Sequence, residues 1–299
     1  MMVRNRHNTP SGIPEVAFAA PVGTPAGIEV MSLAELHERA AGESLTTPQR
    51  PDFHHLLTLT SGTLWHTVDF TAHALQPGHW LWVRPGQVHQ WGDLTHAEGA
   101  LILFQPGFLD PETTAAARVD DPHAPPVLLP LGEDQEALHR AADQLDRDFH
   151  NRTRLPPDLH TTVLRHLLAV LVLRLAYLTE PAGSPAPEPG EAFLRFRDAV
   201  ERDHTRTRRV EDYAHTLGYS PRTLSRATLA AAGLNAKEFI DRRVVLEAKR
   251  LLAHTDQSAA QIADRLGFSS ATNFSKYFHW RTGTTPIAFR TTTRGHGPG

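Results

Sequence analysis

Cysteine is missing from all 299 residues, so the chain can form no disulfide framework and no thiolate metal site. Long apolar runs are missing too. Residues 167–173 form one of the longest, far short of the roughly 20 residues that span a bilayer. Arg4 and Arg6 stand near the start, but proline and glycine interrupt the next twenty or so residues, leaving no continuous apolar segment of a secretory signal. Lysine is scarce, and nearly all basic residues are arginine. These absences point away from a secreted or membrane-spanning protein and towards the cytoplasm. The rest of the composition is ordinary for a globular chain: hydrophobic residues at 40%, charged residues at 21% and length enough for two domains.

The formal net charge of −3 conceals two unlike parts. Residues 191–299 carry 18 Lys+Arg against 11 Asp+Glu, and the preceding 190 carry 12 against 22. A basic C-terminal third on an acidic remainder fits a nucleic-acid-binding module joined to a domain of another kind. Residues 1–27, rich in proline, glycine and alanine, read as a flexible arm. Between about 28 and 130, apolar runs at 53–60, 64–70, 80–84 and 100–104 are separated by Ser61-Gly62, Pro77-Gly78, Pro85-Gly86 and Pro106-Gly107. That is the pattern of a small β-sandwich or barrel. Helical periodicity covers 133–151, and again runs from Pro156-Pro157 to about 179. The second helix is apolar on more than one face. Burial against the β region and a dimer interface both account for this, with Leu167 and Leu171 expected at the interface. Residues 181–190 hold four prolines and two glycines, the composition of a linker between a domain at 28–180 and another at 191–290. Residues 291–299 read as a disordered tail.

The most specific signal is a repeat. Ala214-His-Thr-Leu-Gly-Tyr-Ser220 is echoed by Ala263-Asp-Arg-Leu-Gly-Phe-Ser269, and Ser220 to Phe239 then realigns with Ser270 to Phe289 at an offset of fifty. Each copy spells a short helix, a glycine turn and a second helix opened by serine, the form of a helix-turn-helix. In the first, 210–217 supports a recognition helix at about 221–230, with Leu224, Ala227 and Leu229 packing inward and Arg222, Ser225 and Arg226 outward. In the second, 259–266 supports a helix at about 271–280, with Phe274, Tyr277 and Phe278 inward and Thr272, Asn273, Ser275 and Lys276 outward. Arginine and lysine can read guanine or grip phosphate, and asparagine can read adenine. Two such units imply a regulator of transcription, with no catalytic residues.

Residues 191–290 resemble the DNA-binding domain of the AraC/XylS family. The resemblance rests on Ala263-Asp-Arg-Leu-Gly-Phe-Ser269, Asn273-Phe-Ser-Lys-Tyr-Phe278 and Gly283-Thr-Thr-Pro-Ile-Ala-Phe-Arg290. It implies a long connecting helix at about 236–253 and recognition helices that enter successive major-groove segments. It places base contacts at Arg222, Ser225 and Arg226, and at Thr272, Ser275 and Lys276. Ala227, Thr228 and Leu229 depart from the family's more aromatic pattern. A connecting helix of that length spans about 27 Å.

Gly78 to His89 resembles the second motif of the cupin barrel. Arg50-Pro-Asp-Phe-His-His55 and Gly62-Thr-Leu-Trp-His-Thr-Val-Asp-Phe70 resemble the sensory cupin domain often joined to this DNA-binding domain. The expected fold is therefore α+β: a cupin-like β-barrel with C-terminal helices, then an all-α double helix-turn-helix. The resemblance implies a small effector in the barrel, a homodimer, and promoter DNA and RNA polymerase as partners, with no membrane, cofactor or metal. Candidate effector-lining residues are His54, Trp65, Trp82 and His89. The His-x-His spacing of a cupin metal motif is absent, since adjacent His54 and His55 face opposite sides of a strand. Two alternatives stay open: a DNA-binding dimer whose barrel takes no ligand, and a metal-dependent cupin enzyme carrying a DNA-binding domain.

Overall fold

The computed structural model describes residues 13–21, 23–40, 45–121, 124–151, 155–178 and 190–294. The chain forms two compact units that part near residue 182. The expected linker, except for Gly190, lies outside the described residues.

The first unit begins with β1 (Glu15–Val16), β2 (Ile28–Ser32), α1 (Leu33–Arg39) and β3 (Arg50–Pro51). It continues through β4 (His54–Ser61), β5 (Leu64–Val68), β6 (Thr71–Leu75), β7 (Trp80–Val83), β8 (His89–Trp91) and β9 (Glu98–Phe104). It closes with α2 (Pro111–Ala116), β10 (Val127–Leu128), α3 (Glu133–His150) and α4 (Pro157–Tyr177). Thus β1 lies within the stretch expected to be a flexible arm. Among the described residues no sheet closes on itself, so the expected barrel is replaced by separate sheets. One has five antiparallel strands in the order β10-β7-β4-β9-β2, another three in the order β6-β5-β8, and β1 pairs with β3 in parallel. Among the described residues no ladder joins the three-stranded sheet to either edge of the larger one; an isolated bridge between Gln49 and His89 ties β8 to the chain ahead of β3.

The large sheet is buried on both faces, which is why its strands read as continuous apolar runs rather than alternating ones. From β4, Leu56 packs with Trp80, Trp82, Ile102 and Phe104 beneath α3 and α4. Leu57 and Leu59 face the other way, towards Leu64, Val68, Leu81 and Trp91. Helix α4 fits a membrane span by length and composition, yet Leu164, Leu168, Leu171, Val172 and Leu175 are enclosed in the core. Burying each such side chain contributes about 1.5–3 kcal/mol before entropy is subtracted. Leu171 is therefore a core residue, and Leu167 packs against the same core. Leu171 is thus away from any exposed interface, which corrects that expectation, while Leu167 is half-buried.

The second unit is wholly helical among the described residues: α5 (Glu191–Asp203), α6 (Val210–Leu217), α7 (Pro221–Ala232), α8 (Ala236–His254), α9 (Ala259–Arg265), α10 (Ala271–Thr282) and α11 (Pro286–Arg294). Helix α11 runs four residues past the expected boundary at 290, into the stretch expected to be a disordered tail. Phe196, Leu224, Ile240, Val244, Ile262, Phe274 and Phe278 share one core.

Candidate DNA interface and histidine-lined interior

The helical unit presents two outward faces built alike. Helix α6 ends at Gly218, whose φ of 71° supplies a left-handed exit, and Ser220 accepts the Thr223 N–H at 3.0 Å to open α7. In the second copy Ser258 and Gln261 form a capping box on α9, and Ser270 accepts the Asn273 N–H at 3.1 Å to open α10. Leu224 and Thr228 point inward from α7, as Phe274 and Phe278 do from α10. Thr228 thus stands where the repeat puts Phe278, with its hydroxyl donating to the Leu224 carbonyl at 2.7 Å. Leu229, expected to pack, is 59% exposed.

Arg222, Ser225 and Arg226 share one face of α7 through their i, i+3, i+4 spacing, and Thr272, Ser275 and Lys276 share the matching face of α10. The two serines are half-buried and the other four residues exposed. Among the described residues no carboxylate pairs with Arg222, Arg226 or Lys276. Other cations in the unit are committed: Arg243 donates to Glu201 at 2.8 Å and Glu247 at 3.1 Å, and Arg208 to the Leu266 carbonyl at 2.6 Å. Asn273 is also engaged, its amide donating to Ser269 Oγ at 2.8 Å. Beside the start of α6 lies a cleft of about 630 Å³, lined by Arg206, Arg208, Arg209 and Lys237 with Glu211 and Asp212.

In the sheet-rich unit β4 sends its histidines in opposite directions. His54 accepts the Trp82 indole N–H at 3.2 Å, stacks on Phe104 and lies 3.4 Å from the Asp120 carboxylate. Burial lowers its pKa against the pull of Asp120. Next to it, burial brings Arg84 down to about 10, so its guanidinium stays charged over the Trp82 ring. On the other side, His66 Nε2 lies 3.1 Å from His89 Nδ1, and His55 meets His89 edge-on while stacking on Phe53. Burial lowers all three, His89 to about 3, so these imidazoles are neutral at pH 7. The turn between β5 and β6 braces the strand that carries His89. Asp69 accepts from Gln87 Nε2 at 2.9 Å and from the Val88 N–H at 3.1 Å.

The four candidate effector-lining residues are not brought together. His54 and Trp82 lie under the helices, His89 lies between the sheets, and Trp65 points outward from β5, 64% exposed. His55 and His66 join His89 instead, a grouping that strict alternation along β4 and β5 makes legible. Among the described residues no group of three or more histidines and carboxylates is arranged to hold a metal ion.

A family model described as a helix-turn-helix domain matches residues 213–292, and one described as an AraC-like ligand binding domain matches 34–168. The transcriptional regulator RipA of Corynebacterium glutamicum is 33% identical over 113 residues, covering 38% of this chain and 33% of that protein. The transcriptional activator RhaS of Enterobacter sp. strain 638 is 24% identical over 247 residues, 80% of this chain and 85% of that one. The probable transcription factor PqrA of Proteus vulgaris is 34% identical over 82 residues, 27% of this chain and 67% of that one. The first curated relatives, RipA and PocR of Salmonella typhimurium, are matched over only about a third of their length. With a ligand-binding domain ahead of a tandem helix-turn-helix, the chain belongs to the AraC family of transcriptional regulators.

Proposed function

We propose that the chain is a cytoplasmic, sequence-specific activator whose two recognition helices read promoter DNA under control of a small effector held in the first unit. The observation that carries this reading is the pair of matching faces on α7 and α10, where Arg222, Arg226 and Lys276 have no carboxylate partner among the described residues. Arg222, Ser225, Arg226, Thr272, Ser275 and Lys276 are the base-reading set. Asn273 joins them through Oδ1 and its second amide N–H, the first being held by Ser269. The match of residues 34–168 to a ligand-binding domain supports effector control, which works only through unequal affinity for DNA-competent and incompetent states. RhaS is named an activator, which supports activation; RNA polymerase is the partner that activation implies. Footprinting on the chain's own upstream DNA tests this: two protected major-groove segments about one helical turn apart are expected, and an absence of protection with and without candidate effectors contradicts it.

A homodimer completes the proposal. Leu159, Val163, His166, Val170, Leu173 and Tyr177 keep the alternating four- and three-residue spacing of a helix-pairing seam on α4. All but half-buried Val163 are exposed, on the side away from the core leucines. The same seam on a second copy is the self-complementary partner that a two-fold interface requires.

A further inference from the structure

Asp241 has a side chain only 1% exposed, although it carries a charge. It sits on α8, the helix that joins the two helix-turn-helix copies, and its carboxylate gathers donors from α8 itself and from α10 of the second copy, the α8 donor reaching on to the chain ahead of the first. Lys237 donates to Oδ1 at 2.6 Å and also to the Arg208 carbonyl, ahead of α6, at 3.2 Å. From α10, the Tyr277 hydroxyl donates to Oδ1 at 2.8 Å and Arg281 pairs with Oδ2. Burial raises the pKa of Tyr277, so its hydroxyl keeps the proton it donates. A second bridge joins the same parts: Arg208 donates to the Leu266 carbonyl and lies 3.7 Å from the centre of the Phe268 ring. Phe268 in turn packs on Tyr277.

A buried carboxylate is an expensive way to join helices, since well-packed apolar side chains do so at no desolvation cost. What it adds is direction: two oxygens and three donors fit together in few arrangements, whereas apolar surfaces can slide. The first copy has no counterpart of the α10 donors. The repeat places Ala227 opposite Tyr277 and Ala231 opposite Arg281, so the contact serves to join the copies.

We infer that Asp241 is a positioning residue that locks α10 to α8 and so fixes the register between the two recognition helices. The consequence is a reading head intolerant of altered spacing between its two DNA segments. This consequence rests on the proposed DNA-reading function; the locking itself does not.

Locking is tested without DNA. Nitroxide labels at Ala230→Cys and His279→Cys are unambiguous because the chain has no cysteine of its own. Electron–electron distance measurements on the full chain are expected to give one narrow distribution. Asp241→Ala is expected to broaden it, Tyr277→Phe to broaden it less, and Asp241→Asn to recover part of the width. A broad distribution in the labelled parent, or an unchanged one in folded Asp241→Ala, would overturn the inference. If Asp241→Ala does not fold, Tyr277→Phe decides, since it removes one hydroxyl and nothing else. The DNA arm uses duplexes that the parent recovers from a random pool, with one base pair inserted between the two protected segments. That insertion shifts one segment by about 3.4 Å and rotates it by about 35°. The parent is expected to lose about 100-fold or more in affinity and Asp241→Ala less than about 10-fold, on the scale of one or two base mismatches. Equal losses overturn the register claim. A parent that recovers no preferred duplex defeats the DNA-reading function instead, and leaves the distance measurement to judge the lock.

Discussion

Arginine is used in two ways in the helical unit. Arg208, Arg243 and Arg281 are spent on backbone carbonyls and carboxylates that hold helices together. Arg222 and Arg226, with Lys276, have no such partner among the described residues. If Arg226 and Lys276 read bases, Arg226→Ala or Lys276→Ala weakens specific binding by about 1–3 kcal/mol while binding to random DNA changes little. An equal loss on both DNAs, measured by titration at fixed salt, assigns that residue to phosphate. The histidines of the first unit make a separate prediction. His55, His66 and His89 stay neutral when folded, while the unfolded chain takes up protons below about pH 6.5. Their depressed folded pKa values therefore cost nothing above pH 6.5. As pH falls below that, the unfolded state gains, by about 1.4 kcal/mol per pH unit for each histidine still neutral in the fold. For His89 the loss continues to about pH 3. Melting of the full chain between pH 7 and pH 5 checks this: the transition of the sheet-rich unit moves down. A transition independent of pH contradicts the buried, neutral triad.

At the scale of elements, two glycines in equivalent turns separate backbone strain from crowding. Gly218 and Gly267 both have positive φ, but a Cβ on Gly218 meets nothing within 4 Å, whereas one on Gly267 lies 2.5 Å from the Thr205 carbonyl. Gly218→Ala is expected to cost about 1 kcal/mol from strain alone, and Gly267→Ala about 2–3 kcal/mol or more. Urea unfolding compares them, and equal costs contradict the close approach at Gly267. For α4, Val170→Glu with Leu173→Glu is expected to yield folded monomers by sedimentation velocity, while Leu171→Glu unfolds the first unit. A folded dimer in the double variant excludes this seam. The helices were the most legible elements, because caps and glycines mark their ends: Gly218 closes α6 and Ser220 opens α7 where the spacing predicts. The sheets were less so. The large sheet is buried on both faces, so its strands lack the alternation that reveals partners, and closure into a barrel depends on pairings between distant strands. Leu229 was misplaced because threonine at 228 conceals a core position that only its hydroxyl bond to Leu224 makes tolerable. Asp241 escaped notice because its partners Tyr277 and Arg281 lie 36 and 40 residues away.

On the scale of the whole molecule, the division of charge between an acidic first part and a basic second part suits the two tasks of an AraC-family regulator. The two copies of the helix-turn-helix sit on one core and share α8, so they present two reading faces within one unit. If these faces read bases, each alone offers few contacts and specificity requires both. Equilibrium binding of the full chain to its own upstream DNA and to random DNA of equal length, across a range of salt, tests that claim most directly. The account predicts a preference of about a thousandfold or more that persists as salt rises, with any effector requirement appearing as recovery of that preference when the effector is added. Binding that falls steeply with salt and shows no preference on any upstream segment, under any effector condition, would contradict it.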